Sequence, residues 1–175
     1  MRSFNKLREF LDNSLVAYEV LTHPMTFTAQ QLAAVQHVKG KQLAKVVVAH
    51  SGSEFIMIVL PASYRIGLER ARAATGRQEL EIAHESEFAS LFAGCEPGAM
   101  PPFGNLYNVP VWVDESLAED ERDCFQRLYA HAGYQDEVLR FRPAGPSNRR
   151  QIQDALKGRR ERVCAAQALL RDTGD

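Results

Sequence analysis

The chain has 175 residues, 45% of them hydrophobic and 25% charged, with a formal net charge of −1. That is the length of one domain with enough apolar residues for a core, and no apolar run approaches the ~20 residues of a membrane span. Three widely spaced cysteines, Cys95, Cys124 and Cys164, argue against a disulfide framework or a Cys-x-x-Cys zinc site and predict a reducing compartment, the cytoplasm. From Arg142 onward, eight basic residues stand against four acidic ones. This cationic end suits either a polyanionic partner or a solvated helix face.

Ser3 caps a first helix with Phe4, Leu7, Phe10, Leu11 and Leu15 on its apolar face. The chain enters this pattern directly, without the features of a signal peptide. Ala17 to Leu21 alternates as a short strand, which His23-Pro24 stops because a residue before proline avoids the helical region. Thr28 opens a helix over 28–36, with Gln31 completing a capping box and Phe27 placed to staple onto Leu32. Lys39-Gly40-Lys41 is a turn.

Leu43 to His50 and Glu54 to Leu60 are β-branched runs joined by Ser51-Gly52-Ser53, a hairpin. Both are too continuously apolar for one wet face, so they belong in the middle of a sheet covered on both sides. Ser63 caps a helix running to about Ala74, with Gly76 as its stop. Glu79 to Ala83 reads as a strand and Glu85 to Phe92 as a short helix. Leu106 to Asp114 is a strand that Pro110 assigns to an edge or bulge, and Asp114 with Glu115 begins a turn or short helix. Strands near 124–131 and 136–142 close the domain. After the Pro143–Pro146 breaker, Ile152, Leu156, Val163 and Leu170 line one helical face, with Arg149, Arg150, Arg159 and Arg160 elsewhere on it. The pattern predicts a mixed α/β domain over 1–142 around a largely antiparallel sheet, then a linker and basic amphipathic helix over 143–175.

Two features carry chemistry. The stretch Gly94 to Gly104 packs three glycines and three prolines into eleven residues, where a connector needs about four to six. Proline stiffens it and glycine opens its backbone to a ligand, so its uncovered amides suit a carbonyl or an anion. The same composition also serves a purely structural turn. Lys45 interrupts an aliphatic strand, and a lysine is costly to bury without a partner. It is either an exposed strand position or a cation placed to hold a phosphate or polarise a carbonyl.

Other signals are weaker. His131, in Tyr129-Ala-His-Ala-Gly133, is a lone histidine near the end of a late strand, and such residues are more often structural than catalytic. His23, His37, His50 and His84 show no ligand-like spacing, so neither a metal nor another cofactor is expected. The nucleophile elbow, the Walker loop and the dinucleotide fingerprint are missing. Cys95 invites a thiol-enzyme reading, which Glu96 beside it opposes.

Lys45 and the loop together carry a resemblance. Pro97-Gly98-Ala99-Met100-Pro101-Pro102-Phe103-Gly104, followed by Asn105 to Asn108, resembles the signature loop of the YbaK/ProX family. These are free-standing aminoacyl-tRNA deacylases related to the editing domain of bacterial prolyl-tRNA synthetase. The family's Gly-x-x-x-Pro element falls on Gly98 and Pro102, its strand lysine on Lys45, and its His-Pro-x-x-Phe-Thr stretch on His23, Pro24, Phe27 and Thr28. The likeness covers roughly residues 5–142.

The resemblance implies the family's sheet or partly open barrel flanked by helices, and metal-free trans-editing hydrolysis of the ester in mischarged aminoacyl-tRNA. It implies that the amides of Gly98, Ala99 and Met100 hold the carbonyl and that Lys45 positions the tRNA 3′ end. Phe27, Thr28, Gly94, Pro102, Gly104 and His131 would line the substrate site. It leaves room for an aminoacyl-tRNA synthetase as a partner, and for a non-catalytic module that senses an aminoacyl group or nucleotide. His131 and Pro101 depart from the family pattern, and the 143–175 tail lies outside it.

Overall fold

In a computed structural model, residues 2–22, 34, 37, 43–95, 98–114, 116–119, 129–131 and 137–141 are described. Helix α1, Arg2–Asn13, buries Leu7 and Leu11 and half-buries Phe10, as its apolar spacing predicts. Leu15 departs from that expectation. The helix closes in a Schellman motif, with the Val16 amide donating to the Leu11 carbonyl and the Leu15 amide to the Asp12 carbonyl, both at 3.0 Å. Leu15 occupies the left-handed position of this motif with φ 55° and is 75% exposed, while Val16 rejoins the core beside Leu11. Periodicity does not register that the chain has already left the helix.

Strand β1 is Tyr18–Thr22. The apolar hairpin comprises β2, Ala44–Ser51, and β3, Glu54–Pro61, in antiparallel register from Ala44↔Pro61 to Ser51↔Glu54. Gly52, with φ 60°, makes the two-residue turn possible. Helix α2, Leu68–Thr75, starts later than predicted, with Gly67 rather than Ser63 at its N-cap. Gly76 ends it in the left-handed conformation, φ 70°, as its sequence position suggests.

Strand β4, Glu81–Ile82, is shorter than the 79–83 expectation, and α3, Glu85–Phe88, stops short of Phe92. The cap of α3 is reciprocal: the Glu87 carboxylate accepts the His84 amide at 2.6 Å. The end of a 3-10 turn at Gly104–Leu106, a turn at 107–108 and irregular chain at 109–110 take up the first half of the predicted 106–114 strand, of which β5, Val111–Val113, remains. Asp114, 5% exposed, then caps α4, Ser116–Glu119, by accepting the Ser116 amide at 2.9 Å. Strands β6, Tyr129–His131, and β7, Glu137–Phe141, complete the order.

The strands form two open sheets, ordered β4-β2-β3-β5 and β1-β7-β6. Every pairing is antiparallel except β3 with β5, so the fold is mixed α/β with no closed barrel among the described residues. The hairpin is central, and β5 with its preceding Pro110 lies at an edge, where proline is tolerated. Alternation puts Val48, Met57 and Val59 on one face, in a core with Leu7, Leu11, Phe103, Leu139 and Phe141. Ala49, Ile56, Ile58 and Leu60 face the other way onto Ala71 and Leu80. Both faces of the hairpin are therefore covered, as its composition requires. Of the predicted 28–36 helix only Ala34 is described, and it is helical. The 39–41 turn, residues 124–128 and the 143–175 tail lie outside the described residues.

Candidate active site

The loop from Gly98 to Gly104 is held from its C-terminal end. Phe103 is fully buried, with its ring edge-on to Phe10 of α1 at 5.8 Å and to Phe141 of β7 at 6.2 Å. Ala99, Met100, Pro101 and Pro102 are buried behind it, and only Gly98 is exposed. Gly98 has φ 76° with open space around its Cα, so glycine serves its backbone conformation. Gly104 is a glycine for a different reason. A Cβ there would lie 2.2 Å from the Val109 carbonyl oxygen and 2.5 Å from a Val111 methyl. The Gly104 carbonyl also accepts the amides of Tyr107 at 2.8 Å and Val109 at 2.9 Å, closing the turn.

The amides upstream have no described acceptor. Among the described residues, none of Gly98, Ala99 and Met100 donates a backbone hydrogen bond. Buried amides are ordinarily paired, and consecutive amides with no described acceptor on a fixed loop have the geometry an oxyanion or a carbonyl requires.

Lys45 stands elsewhere. It alternates with Val47 and Ala49 and opposes Leu60, which places it on the sheet face away from Met100 and Phe103. Its half-buried Nζ donates to the Ala62 carbonyl at 3.3 Å and to the Tyr64 carbonyl. Burial pushes its pKa below the ordinary lysine value, and the neighbouring Arg65 charge pushes the same way. Among the described residues no hydrogen bond or ion pair joins Lys45 to the 98–104 loop.

Of the remaining predicted positions, Pro102 and Gly104 belong to the loop itself. Gly94 is exposed with φ 92° at the start of the loop. Cys95 Sγ lies 3.1 Å from the Tyr107 hydroxyl, whose ring packs on Phe92 at 4.8 Å. His131 sits in β6 opposite Val138 of β7. His23, Pro24, Phe27 and Thr28 lie outside the described residues, and those described hold no cluster of three or more metal-ligating side chains.

The aminoacyl-tRNA editing domain matches residues 23–145, which include the loop and Lys45. The chain belongs to this family. No curated protein matches it in sequence. Among solved structures, a candidate trans-editing enzyme for prolyl-tRNA synthetase is similar at TM-score 0.67 and 21% identity, covering 93% of this chain and 96% of that one. A hypothetical protein designated APE2540 is similar at TM-score 0.67 and 21% identity, covering 79% and 89%. A candidate signal transduction protein from Marinobacter aquaeolei VT8 matches at TM-score 0.62 and 16% identity over 92% of this chain but only 30% of its own. At these identities the structures support the editing-domain fold and nothing finer.

A cleft adjoins the loop and was not legible in the sequence. Lys6 of α1, Leu91 and Ala93 after α3, and Asn105 to Asn108 of the turn line a cleft of about 410 Å³. Each polar residue in it is ordinary by itself; only the fold collects them.

Proposed function

We propose that this editing domain is a trans-editing deacylase that hydrolyses the ester joining a wrong amino acid to tRNA. The observation that supports the reading is the row of amides at Gly98, Ala99 and Met100, none of which donates to a described acceptor, on a loop pinned by Phe103. The ester carbonyl docks on these amides, and water attacks its carbon. The developing oxyanion is held by the same donors. The bond from that carbon to the ribose oxygen then breaks, releasing the amino acid and a tRNA 3′ end that recovers a proton as a hydroxyl. An aminoacyl ester is already activated, so positioning and oxyanion stabilisation supply most of the acceleration without a protein nucleophile. Lys45 and Arg65 offer positive charge to a phosphate of the acceptor end, and the position of Lys45 favours this over polarising the carbonyl.

The test is a deacylation screen of the purified chain against tRNAs carrying Ala, Ser, Thr, Cys and Pro, with Gly98→Val and Lys45→Ala in parallel. Loss of one ester in the wild type, abolished by Gly98→Val, is expected. Survival of every ester at high protein concentration would remove the enzyme reading. A second reading, a module that binds an aminoacyl group or nucleotide without turnover, is favoured by the lack of any described contact between Lys45 and the loop. Saturable binding of uncleaved aminoacyl-tRNA would establish it, and turnover would exclude it.

A further inference from the structure

The cleft beside the loop has a composition suited to one class of ligand. Among the described residues, Lys6 makes no ion pair, and the side chains of Asn105 and Asn108 make no hydrogen bond. All three are exposed and line the same concavity, so a cation and two carboxamides face it with their hydrogen-bonding capacity unspent. Leu91 and Leu106 supply an apolar wall, and the Tyr107 ring is fixed beneath by Phe92 and Cys95. Among the described residues no carboxylate lines the cleft. Its volume, about 410 Å³, falls in the ~300–1,000 Å³ range of small-ligand sites.

The backbone explains why the amides converge. Gly104 lacks a Cβ where Val109 approaches, the Val109 amide returns to the Gly104 carbonyl, and Asn108 takes φ 59° to close the turn. Asn is among the few side chains that tolerate this left-handed conformation. A carboxamide pairs its donor and acceptor with a base edge, a lysine holds a phosphate, and an apolar wall takes a base face.

We propose that this cleft is a nucleotide subsite that takes one unstacked nucleotide of the single-stranded tRNA 3′ end, with Lys6 on its phosphate and Asn105 and Asn108 on its base edge. The subsite directly follows the loop in sequence, where Asn105 succeeds Gly104. Lys6 lies outside the span matched by the family, 23–145, so α1 adds a contact to the editing domain proper. The inference rests on the editing reading for the identity of the RNA.

The test uses a labelled RNA hairpin ending in a single-stranded CCA, followed by anisotropy at several salt concentrations, with free CMP as a second probe. Lys6→Glu is expected to weaken hairpin binding about tenfold and to flatten the salt dependence by ~0.7 in log–log slope, the loss of one single-strand phosphate contact. Asn105→Ala with Asn108→Gly is expected to weaken binding by about tenfold, without changing the slope; glycine keeps the positive φ. Equal hairpin affinity in wild type and both variants overturns the proposal. So does Lys6-dependent CMP binding with hairpin binding unchanged, which would make the cleft a site for a free mononucleotide. Ester hydrolysis with an unchanged KM in Lys6→Glu leaves editing standing and removes the cleft. Lys6-dependent hairpin binding by a chain that hydrolyses no ester does the reverse.

Discussion

Gly98 and Gly104 end the same loop, and their substitution should separate chemistry from folding. In Gly104→Ala the new Cβ meets a backbone oxygen at 2.2 Å and a valine methyl at 2.5 Å, and neither can swing aside as a flexible side chain could. Overpacking of this kind costs ~1–3 kcal/mol. The backbone must shift where Gly104 accepts two amides, and a weakened bond adds ~1 kcal/mol. The sum is about 2–4 kcal/mol. For a chain of this size that lowers Tm by roughly 4–16 °C. In Gly98→Ala nothing lies within 4 Å of the new Cβ, so the cost is the left-handed backbone alone, ~1–2 kcal/mol. Its effect falls on the amides: misplacing one oxyanion donor costs ~10²–10³ in rate. Thermal unfolding by circular dichroism and single-turnover deacylation read the two effects separately. A Gly104→Ala variant as stable as wild type, or a Gly98→Ala variant with full activity, would refute the assignment of roles.

Three further outcomes can be measured. Phe103→Ala removes a fully buried ring packed on Phe10 and Phe141 and should cost about 3–5 kcal/mol in denaturant unfolding; a loss under ~1 kcal/mol would mean that the loop is not anchored there. Lys45→Met should change the pH dependence of stability. Because the folded pKa of Lys45 lies below its ordinary 10.5, the unfolded chain holds more protons between the two values, and wild-type stability rises with pH across that window. The variant lacks this rise, so its Tm relative to wild type should fall as pH increases toward 10.5, and a variant Tm that rises relative to wild type over that range would refute the sign. Truncation after Arg142 should weaken tRNA binding and flatten its salt dependence if the basic tail contacts phosphates; an unchanged slope removes the tail from the interface.

What the sequence made legible and what it hid have physical reasons. The hairpin could be read because β-branched runs on both sides of Ser51-Gly52-Ser53 leave few alternatives, and Gly76 because a left-handed cap favours glycine. Leu15 misled because a leucine holds that same kind of position at the end of α1. Ser63 misled because a capping side chain is not required: Gly67 starts α2 with no side-chain cap at all. The face of Lys45 could not be read, since a strand apolar on both sides carries no alternation from which to choose. Lys6, Asn105 and Asn108 were invisible as a group because their proximity is a product of α1 packing near the turn.

That placement of Lys45 yields a prediction that does not depend on which amino acid is removed. The loop amides lie with the core on one face of the hairpin, and Lys45 with Leu60 lies on the other. Side chains on opposite faces point away from one another across the sheet. On the proposed reading, a minimal ester such as an aminoacyl methyl ester would dock on the amides without engaging the lysine. An acceptor end several nucleotides long can engage both. If Lys45 acts on a phosphate, Lys45→Ala should lower kcat/KM on aminoacyl-tRNA by about tenfold or more, in line with ~1.4 kcal/mol for one charge-assisted contact, while leaving minimal-ester hydrolysis unchanged. If it instead polarises the carbonyl, both substrates should suffer equally. Equal loss would mean that the lysine leaves the Ala62 and Tyr64 carbonyls and crosses to the loop during turnover, which would overturn the division of labour drawn from the sheet.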